Sequence, residues 1–379
     1  MMNKFAVGLI TGACVLSLAA GQAFAEDHLS NQKLRDNDMA VKNLYTTLNG
    51  FSHKGDFVYF TQRNPNIEQV RNGYVMELVV VPITNGKFNE EKIRHIPLGK
   101  PITNIDYTML TPDQKDMIIV TRSGATFAKL NMETGKLETL MEHESGKPGF
   151  RANPEIVRAV ENKMFVKGYF YDGEDFSDVD CTATLDATKN GVLAFDRIYD
   201  VELQEAKLKP QNIVFNDTNC AFYVAQDRKN GKPYGNYKLY IWNPPTFKDP
   251  TQFDEAKEFV SFWGATSRMA YTIQKPNNLY QLAIYDAKTQ KKTIIADDTA
   301  DAYKNIFLSE DGSTVLCTDT KNRVGRATYY YADESTGWKL KPTADIGNKT
   351  VRFGVTRLSD DGRYFVVYSD RGFDLYRTK

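Results

Sequence analysis

A repeated turn-and-strand unit constrains this chain more than any other feature of its sequence. Two copies near the C-terminus are the clearest: residues 308–319 read LSEDGSTVLCTD and residues 358–370 read LSDDGRYFVVYSD. Each copy ends one strand at Leu-Ser, turns through acidic residues and a glycine, and enters a second strand rich in valine, leucine or aromatic residues. Because glycine and aspartate accept the positive φ angles of a tight hairpin, each copy predicts two antiparallel strands.

Weaker copies of this unit recur along the rest of the chain. The seven copies start near residues 51, 110, 159, 214, 262, 308 and 358, so the repeat is about 50 residues long. A second hairpin signal follows inside the units, for example at residues 130–136 and 331–337. Each unit therefore has about four short strands, and no amphipathic helix of ten or more residues follows the N-terminal segment.

Seven four-stranded units of this length predict an all-β chain, a seven-bladed β-propeller with four antiparallel strands per blade. A single four-stranded sheet cannot bury both of its faces, whereas sheets packed around an axis bury the faces between them. We therefore assign residues 26–379 to one propeller. The last unit is one strand short, and residues 28–35 are the candidates to supply that strand and close the ring.

The first 25 residues have the pattern of a cleaved secretory signal peptide. Lys4 precedes an apolar stretch over residues 5–20, and an Ala-Phe-Ala cleavage signal stands before Glu26. A lipoprotein signal at Cys14 is the competing interpretation. The apolar stretch is too short for a membrane anchor, and no other segment is apolar enough to span a membrane. The sequence therefore predicts a periplasmic or secreted protein.

Two stretches resemble a known family. Residues 358–376 combine the Asp-Gly turn with Ser-Asp-Arg after the second strand and Leu-Tyr in the third, and residues 227–240 share part of this pattern. Both are similar to the TolB-like, WD-repeat-like propellers of bacterial envelopes. The resemblance implies an architecture rather than an activity, since related propellers also carry peptidases, polysaccharide lyases and lactonases.

Charge is balanced overall but patterned locally. Lys+Arg and Asp+Glu both number 48, so no global field would draw the protein to nucleic acid or to an anionic membrane. The loop after the second strand nevertheless carries a cation in six of the seven units, namely Arg63, Arg122, Arg228, Lys275, Lys321 and Arg371. Strand register decides between two interpretations: a basic ring for an anionic ligand, or cations that only brace neighbouring turns.

An acidic segment in the third unit is the candidate metal site. It holds five carboxylates and a glycine, and calcium prefers six to eight oxygen ligands. The candidate ligands are Asp172, Glu174, Asp175, Asp178 and Asp180. The alternative is an exposed polar loop, since the spacing is not that of an EF-hand. The four histidines are scattered without the spacing of a zinc or manganese site, so no other cofactor is expected.

Cysteine and aromatic residues add four expectations. Cys317 lies in a strand pattern and should be a small buried side chain, while Cys181 and Cys220 either form a disulfide or stay free. Tyr330 should point to the face opposite its two tyrosine neighbours, because side chains alternate along a strand. Trp263 lies near the first strand of the fifth unit, where it either packs in the core or lines the channel and stacks on a sugar.

No catalytic motif stands out: the sequence has neither a G-x-S-x-G nucleophile nor a C-x-x-C-H haem attachment site. We therefore expect a monomeric, non-catalytic binding or scaffold protein of the bacterial cell envelope, with a protein or an anionic glycan as its partner. The alternative is a propeller enzyme, a lyase or hydrolase acting on an anionic carbohydrate or lactone. A redox propeller with a quinone-type cofactor is the third interpretation.

Overall fold

The computed structural model describes a large part of the chain, and the account below is restricted to that part. The described residues are 33–34, 47–64, 74–102, 105–111, 113–121, 126–142, 147–160, 163–171, 173–174, 176–185, 193–197, 212–217, 220–230, 232–242, 250–319, 328–345, 356–369 and 372–378. These ranges contain β-strands, two short 3-10 helices at Glu90–Lys92 and Glu334–Thr336, and no α-helix. None of their helices is long and apolar enough to cross a membrane.

The described strands form seven antiparallel sheets, numbered here in chain order. Sheet 1 contains β2 (Thr47–Phe51), β3 (Phe57–Arg63), β4 (Tyr74–Thr84), β5 (Lys87–Phe88) and β6 (Arg94–Ile102). Sheet 2 contains β7 (Ile105–Leu110), β8 (Asp116–Thr121), β9 (Thr126–Asn131) and β10 (Leu137–Glu142). Sheet 3 contains β11 (Gly149–Val160), β12 (Lys163–Tyr171), β13 (Phe176–Leu185) and β14 (Leu193–Arg197).

The remaining sheets follow the same plan. Sheet 4 contains β15 (Asn212–Asp217), β16 (Cys220–Lys229), β17 (Lys232–Trp242) and β18 (Thr251–Ala256). Sheet 5 contains β19 (Glu258–Ala265), β20 (Arg268–Gln274), β21 (Tyr280–Asp286) and β22 (Lys291–Thr299). Sheet 6 contains β23 (Tyr303–Leu308), β24 (Thr314–Asp319), β25 (Thr328–Asp333) and β26 (Lys341–Asp345). Sheet 7 contains β27 (Thr356–Leu358), β28 (Tyr364–Ser369), β29 (Gly372–Arg377) and β1 (Lys33–Leu34).

The first strands of the sheets contact one another in cyclic order. β2 contacts β7, and the contacts continue through β11, β15, β19 and β23 to β27, which contacts β2 again. The N-terminal strand β1 completes sheet 7 by pairing antiparallel with β29, with Lys33 opposite Asp374 and Leu34 opposite Phe373. For the two described residues of the N-terminal segment, this pairing confirms the expectation that the segment supplies the missing strand of the last unit. The predicted signal peptide lies outside the described residues.

The hydrophobic core lies between neighbouring sheets. Along β24, Leu316 belongs to a cluster with Phe365 of sheet 7, whereas Val315 and Cys317 belong to a cluster with Ala270 of sheet 5. Because alternate side chains of a strand point to opposite faces, a strand between two packed sheets is buried on both. Cys317 is buried as predicted, and burial raises the pKa of its thiol.

The repeated turn forms the predicted hairpin with the same hydrogen bonds in separate sheets. The Ser309 hydroxyl accepts from the Thr314 amide at 2.9 Å and donates to Asp311 at 2.6 Å. In sheet 7 the Ser359 hydroxyl accepts from the Tyr364 amide at 3.0 Å and donates to Asp361 at 2.9 Å. Serine and aspartate therefore supply the polar partners of a turn backbone that would otherwise lack them.

Candidate functional site

The structure places three of the six predicted ring cations at equivalent strand ends. Arg63 is the last residue of β3, Arg228 is the penultimate residue of β16, and Lys275 directly follows β20. All three strands are the second of their sheets, so these residues mark the same end of three sheets. The other three positions, Arg122, Lys321 and Arg371, lie outside the described residues. The basic ring therefore remains a prediction.

Lys275 is engaged by two carboxylates of its own sheet. Its Nζ lies 2.7 Å from Asp297 Oδ1 and 2.6 Å from Asp298 Oδ1, both near the end of β22. Hydrogen bonds to these two carboxylates raise the pKa of Lys275 and lower the pKa values of Asp297 and Asp298. At this position the cation is held by carboxylates of its own sheet, which agrees with the alternative interpretation of a bracing cation.

The acidic segment of the third unit is divided between a loop and a strand. Glu174 is an exposed loop residue, whereas Asp178 and Asp180 belong to β13, opposite Tyr169 and Lys167 of β12. The other two candidates, Asp172 and Asp175, lie outside the described residues. Across the described ranges, no three His, Cys, Asp or Glu residues are grouped so that they could hold a metal ion. Calcium binding thus stays an untested prediction.

The remaining histidines and the two disulfide candidates are placed only in part. His95 is oriented by buried Glu77, whose Oε1 lies 3.1 Å from His95 Nδ1 and accepts from Gln62 Nε2 at 2.7 Å. His28 and His143 lie outside the described residues. Cys181 and Cys220 belong to β13 and β16, in different sheets. Since their side chains are not described, the disulfide remains open.

Trp263 is an exposed aromatic residue on a first strand. It lies on β19 with 38% of its surface accessible, although the residues that follow it, Gly264 and Ala265, are buried. Its ring centroid lies 5.4 Å from that of Phe307 on the neighbouring first strand β23, with the ring planes inclined by 51°. Trp263 is therefore not a fully buried core residue, and the lining of the channel by its ring stays a prediction.

Arg357 lies at the equivalent position on the first strand of the next sheet. Trp263, Phe307 and Arg357 each pair with the third residue of the second strand of their own sheet, so they occupy equivalent positions on β19, β23 and β27. The Arg357 Nε donates to the Asn49 carbonyl on β2 at 3.0 Å. We call Trp263, Phe307 and Arg357 the channel layer. Aromatic faces can stack on a flat apolar ligand surface, and a guanidinium can bind a carboxylate.

Sequence reasoning considered Trp263 but missed the other two members of the channel layer. Phe307 and Arg357 both stand two residues before the serine of the repeated turn. Alignment of the copies on that serine would have given them a common position. The predicted basic ring instead occupies the loop after the second strand, at the other end of the hairpin.

Next to the channel layer, the turns between first and second strands join neighbouring sheets. Arg268 on β20 donates to Asp286 of its own sheet at 3.0 Å and to the Gly312 carbonyl of sheet 6 at 2.9 Å. It also forms a two-pronged ion pair with Glu334, at 2.7 and 2.6 Å. These hydrogen bonds to carboxylates raise the pKa of Arg268. The guanidinium therefore fixes sheet 5 against sheet 6.

A histidine joins three other sheets at the same end. His53, in the turn after β2, lies with its Nδ1 2.7 Å from Asp360 Oδ2 in the turn after β27. The hydrogen bond to Asp360 is the main cause that raises the pKa of His53, and the backbone of Leu110 and Thr111 in sheet 2 adds to it. Protonated His53 thus binds sheets 7, 1 and 2 more tightly than the neutral form.

The His53 contact predicts a pH-dependent contribution to stability. Because the folded-state pKa of His53 is raised, its contribution is complete below the unfolded value near 6.5 and is lost as the pH rises through the folded-state value. We expect His53→Gln to lower the melting temperature at pH 5.5 but not at pH 8.5. The loss in the free energy of unfolding at pH 5.5 should stay below about 1 kcal/mol, since the pair of His53 and Asp360 is partly exposed. A loss of equal size at both pH values would contradict the assignment.

Comparisons with known proteins identify the fold but no family. Models of known protein families give no match, and neither do curated protein sequences. Similar solved structures include an oligogalacturonate lyase in complex with manganese (TM-score 0.58, 10% identity, 88% of this chain and 90% of that chain). Another is the β-propeller domain of Cps50 (Swd1) from Myceliophteria thermophila (TM-score 0.51, 12% identity, 89% and 99%).

A third similar structure is the acylaminoacyl peptidase of Pyrococcus horikoshii, with a TM-score of 0.55 and 13% identity over 91% of this chain. The alignment spans only 52% of the peptidase chain. At such identities the likeness extends to the fold and not to an activity. Together with the seven sheets and the cyclic contacts of their first strands, these likenesses show that the chain has a β-propeller fold.

Proposed function

We propose that this chain is an exported, seven-bladed β-propeller that binds a ligand in the bacterial cell envelope without catalysing a reaction. The seven described sheets and the pairing of β1 with β29 support seven blades, the last of which is closed by the N-terminal segment. The signal pattern of residues 1–25 and the resemblance to envelope propellers support export.

The exposure of Trp263 in the channel layer carries the proposal of a binding function. Full burial of a large apolar side chain is worth about 1.5–3 kcal/mol, and the fold forgoes part of this at Trp263. The indole lies beside a second aromatic ring, and Arg357 occupies the equivalent position one strand further on. Such a surface suits a ligand that has both a flat apolar face and a carboxylate.

A sugar acid is the ligand class that best fits this surface. The apolar face of a sugar ring can stack on an indole, and its carboxylate can be attracted by the positive charge of a guanidinium. The oligogalacturonate lyase of similar fold is also named after an acidic sugar.

Replacement of Trp263 by alanine is expected to weaken sugar-acid binding at least tenfold. For the wild-type protein, saturation of the site at one hundred times the dissociation constant would stabilise the fold by about 2.7 kcal/mol. A thermal-shift screen with glucuronate, galacturonate and cell-wall fragments measures this effect. We expect the dissociation constant of Trp263→Ala to be at least tenfold larger than that of wild type. Ile294→Ala is the control and should leave the dissociation constant unchanged, because Ile294 is an exposed apolar residue of the last strand in the same sheet.

The outcomes of this screen separate the proposed function from its alternatives. Equal binding by wild type and Trp263→Ala would remove the channel layer from the site. A flat response to every sugar acid would favour a protein partner instead. Conversion of the bound sugar to product would favour the alternative of a lyase or hydrolase acting on an anionic carbohydrate or lactone.

A further inference from the structure

The hairpin of β16 and β17 projects beyond the rest of sheet 4. On one side, β15 pairs with β16 only as far as Val224. On the other side, β18 pairs with β17 only from Tyr237 onwards. The described residues between these limits, 225–230 and 232–236, therefore form a two-stranded ribbon without a third strand among the described residues. We call this segment the ribbon.

Side-chain contacts brace the ribbon in addition to the backbone pairing of β16 with β17. Gln226 Nε2 donates to the Gly235 carbonyl at 2.9 Å across the two strands. Lys238 Nζ lies 2.8 Å from each carboxylate oxygen of Asp227. Two-stranded hairpins are marginally stable in water, so these contacts matter to its shape. They also occupy Asp227, which is the only acidic residue of the ribbon sequence.

The tip of the ribbon concentrates positive charge. Lys229 of β16 lies directly opposite Lys232 of β17, and both side chains are exposed. Like charges opposite each other destabilise a pair of strands. Arg228 adjoins them in the sequence, and no acidic residue lies between residues 228 and 236. An anion bound at the tip would relieve the repulsion between the two lysines.

An exposed aromatic ring lies beside these lysines. Tyr234 is 61% accessible, the highest value among the exposed large apolar or aromatic residues in the described part of the chain. Lys229 Nζ lies over its ring, 5.4 Å from the centroid. The cation therefore contacts the ring from one side, in a geometry that attracts it to the π-face. The tip thus offers a flat ring and two ammonium groups in one place.

We propose that the ribbon is a docking surface for an acidic polysaccharide. Sugar rings stack on the tyrosine, and their carboxylates pair with Lys229 and Lys232. An extended acidic peptide fits less well, because Pro233 lacks an amide donor and edge lysines oppose the addition of a strand. The inference rests on the proposed function in its ligand class, but it concerns a surface separate from the channel layer.

Binding of the full mature protein to alginate, a polymer of uronic acids, tests the proposal. We expect the double variant Lys229→Gln/Lys232→Gln to bind alginate at least tenfold more weakly than wild type, and Tyr234→Ala at least threefold more weakly. Lys288→Gln/Lys291→Gln is the matched control, since it removes two exposed lysines from another hairpin and should change binding less than twofold. Neutral dextran should not bind.

Polyglutamate distinguishes a polysaccharide surface from a general polyanion surface. We expect it to bind more weakly than alginate and to be insensitive to Tyr234→Ala. Equal affinity for both polymers, with no effect of Tyr234→Ala on alginate, would overturn the proposal in favour of charge alone. Absence of alginate binding by wild type, or equal losses in the ribbon and control variants, would also overturn it. Unchanged melting temperatures in all variants would show that folding is intact.

Failure of the channel proposal and failure of the ribbon proposal give different results. Trp263→Ala should lose the thermal shift with monomeric uronates and keep the ribbon-dependent part of alginate binding. Tyr234→Ala should keep the thermal shift with monomeric uronates and lose the ribbon-dependent part of alginate binding. If no monomer binds but alginate binding still depends on Lys229, Lys232 and Tyr234, the channel proposal fails and the ribbon proposal stands.

Discussion

Arg268→Ala is expected to lower the free energy of unfolding by about 2–4 kcal/mol. The substitution removes the ion pairs to Asp286 and Glu334 and the donor to the Gly312 carbonyl. Its guanidinium carbon also lies 5.8 Å from the centroid of the Trp338 ring. Because these partners come from two sheets, the variant should weaken the contact between them. Urea unfolding measures the change as a lower midpoint with an unchanged slope.

Arg363→Ala is the matched control for this prediction. Arg363 also pairs with an aspartate, Asp361, and also lies near an aromatic ring, that of Tyr364. These partners belong to its own turn, and the Arg363 side chain is about half exposed. An exposed pair of this kind contributes at most about 1 kcal/mol. Equal losses for the two variants would show that Arg268 does not join the sheets.

Arg268→Lys separates the charge from the shape of the guanidinium. Lysine keeps a positive charge but has no planar fork, so it cannot hold both oxygens of Glu334 and the Gly312 carbonyl together. We therefore expect it to recover less than half of the stability lost in Arg268→Ala. Full recovery would mean that net charge, and not the geometry of the fork, stabilises this junction.

The repeat in the sequence was sufficient to predict the hairpins because their causes are local. The turn serines, aspartates and glycines lie within five residues of the groups that they bond, as at Ser309 and Thr314. Alternation along a strand is equally local. Tyr329 stacks on Phe365 of sheet 7 at 5.0 Å, whereas Tyr330 packs against the cluster that sheet 6 shares with sheet 5, as the period of two predicts.

The partners of charged residues could not be predicted, because they depend on register and on neighbouring sheets. Lys275 meets Asp297 and Asp298, which follow it by more than twenty residues, near the end of another strand. Arg268 and Glu334 are 66 residues apart. A shift of one residue in strand register moves a side chain to the opposite face, so a charge pattern alone does not place a site.

The channel layer shows the same limit for the candidate site. Trp263 drew attention as a rare residue type near a first strand, but only the pairing of β19 with β20 places it at the same position as Phe307 and Arg357. In the sequence, the residues of the ribbon belonged to two separate patterns. Arg228 was a candidate for the basic ring, while Tyr234 belonged to a stretch that carried only the family resemblance.

Gly362→Ala is expected to destabilise the protein by about 2–5 kcal/mol, for two additive reasons. The residue has a φ of +68°, at which a Cβ atom costs about 1–2 kcal/mol. The new Cβ would also overlap Cβ and Oγ1 of Thr314, the first residue of the second strand in the neighbouring sheet. Overpacking of this kind costs about 1–3 kcal/mol.

Gly337→Ala separates these two contributions. Gly337 has nearly the same φ, +70°, but no atom lies within 4 Å of the point that an alanine Cβ would occupy there. It should therefore show the backbone cost alone, and the difference between the two variants measures the crowding between sheets 6 and 7. The overlap includes Thr314 Cβ, so rotation of the threonine side chain cannot remove it and the hairpins themselves would have to separate. Equal losses of stability in the two variants would mean that the turns of neighbouring sheets do not interlock.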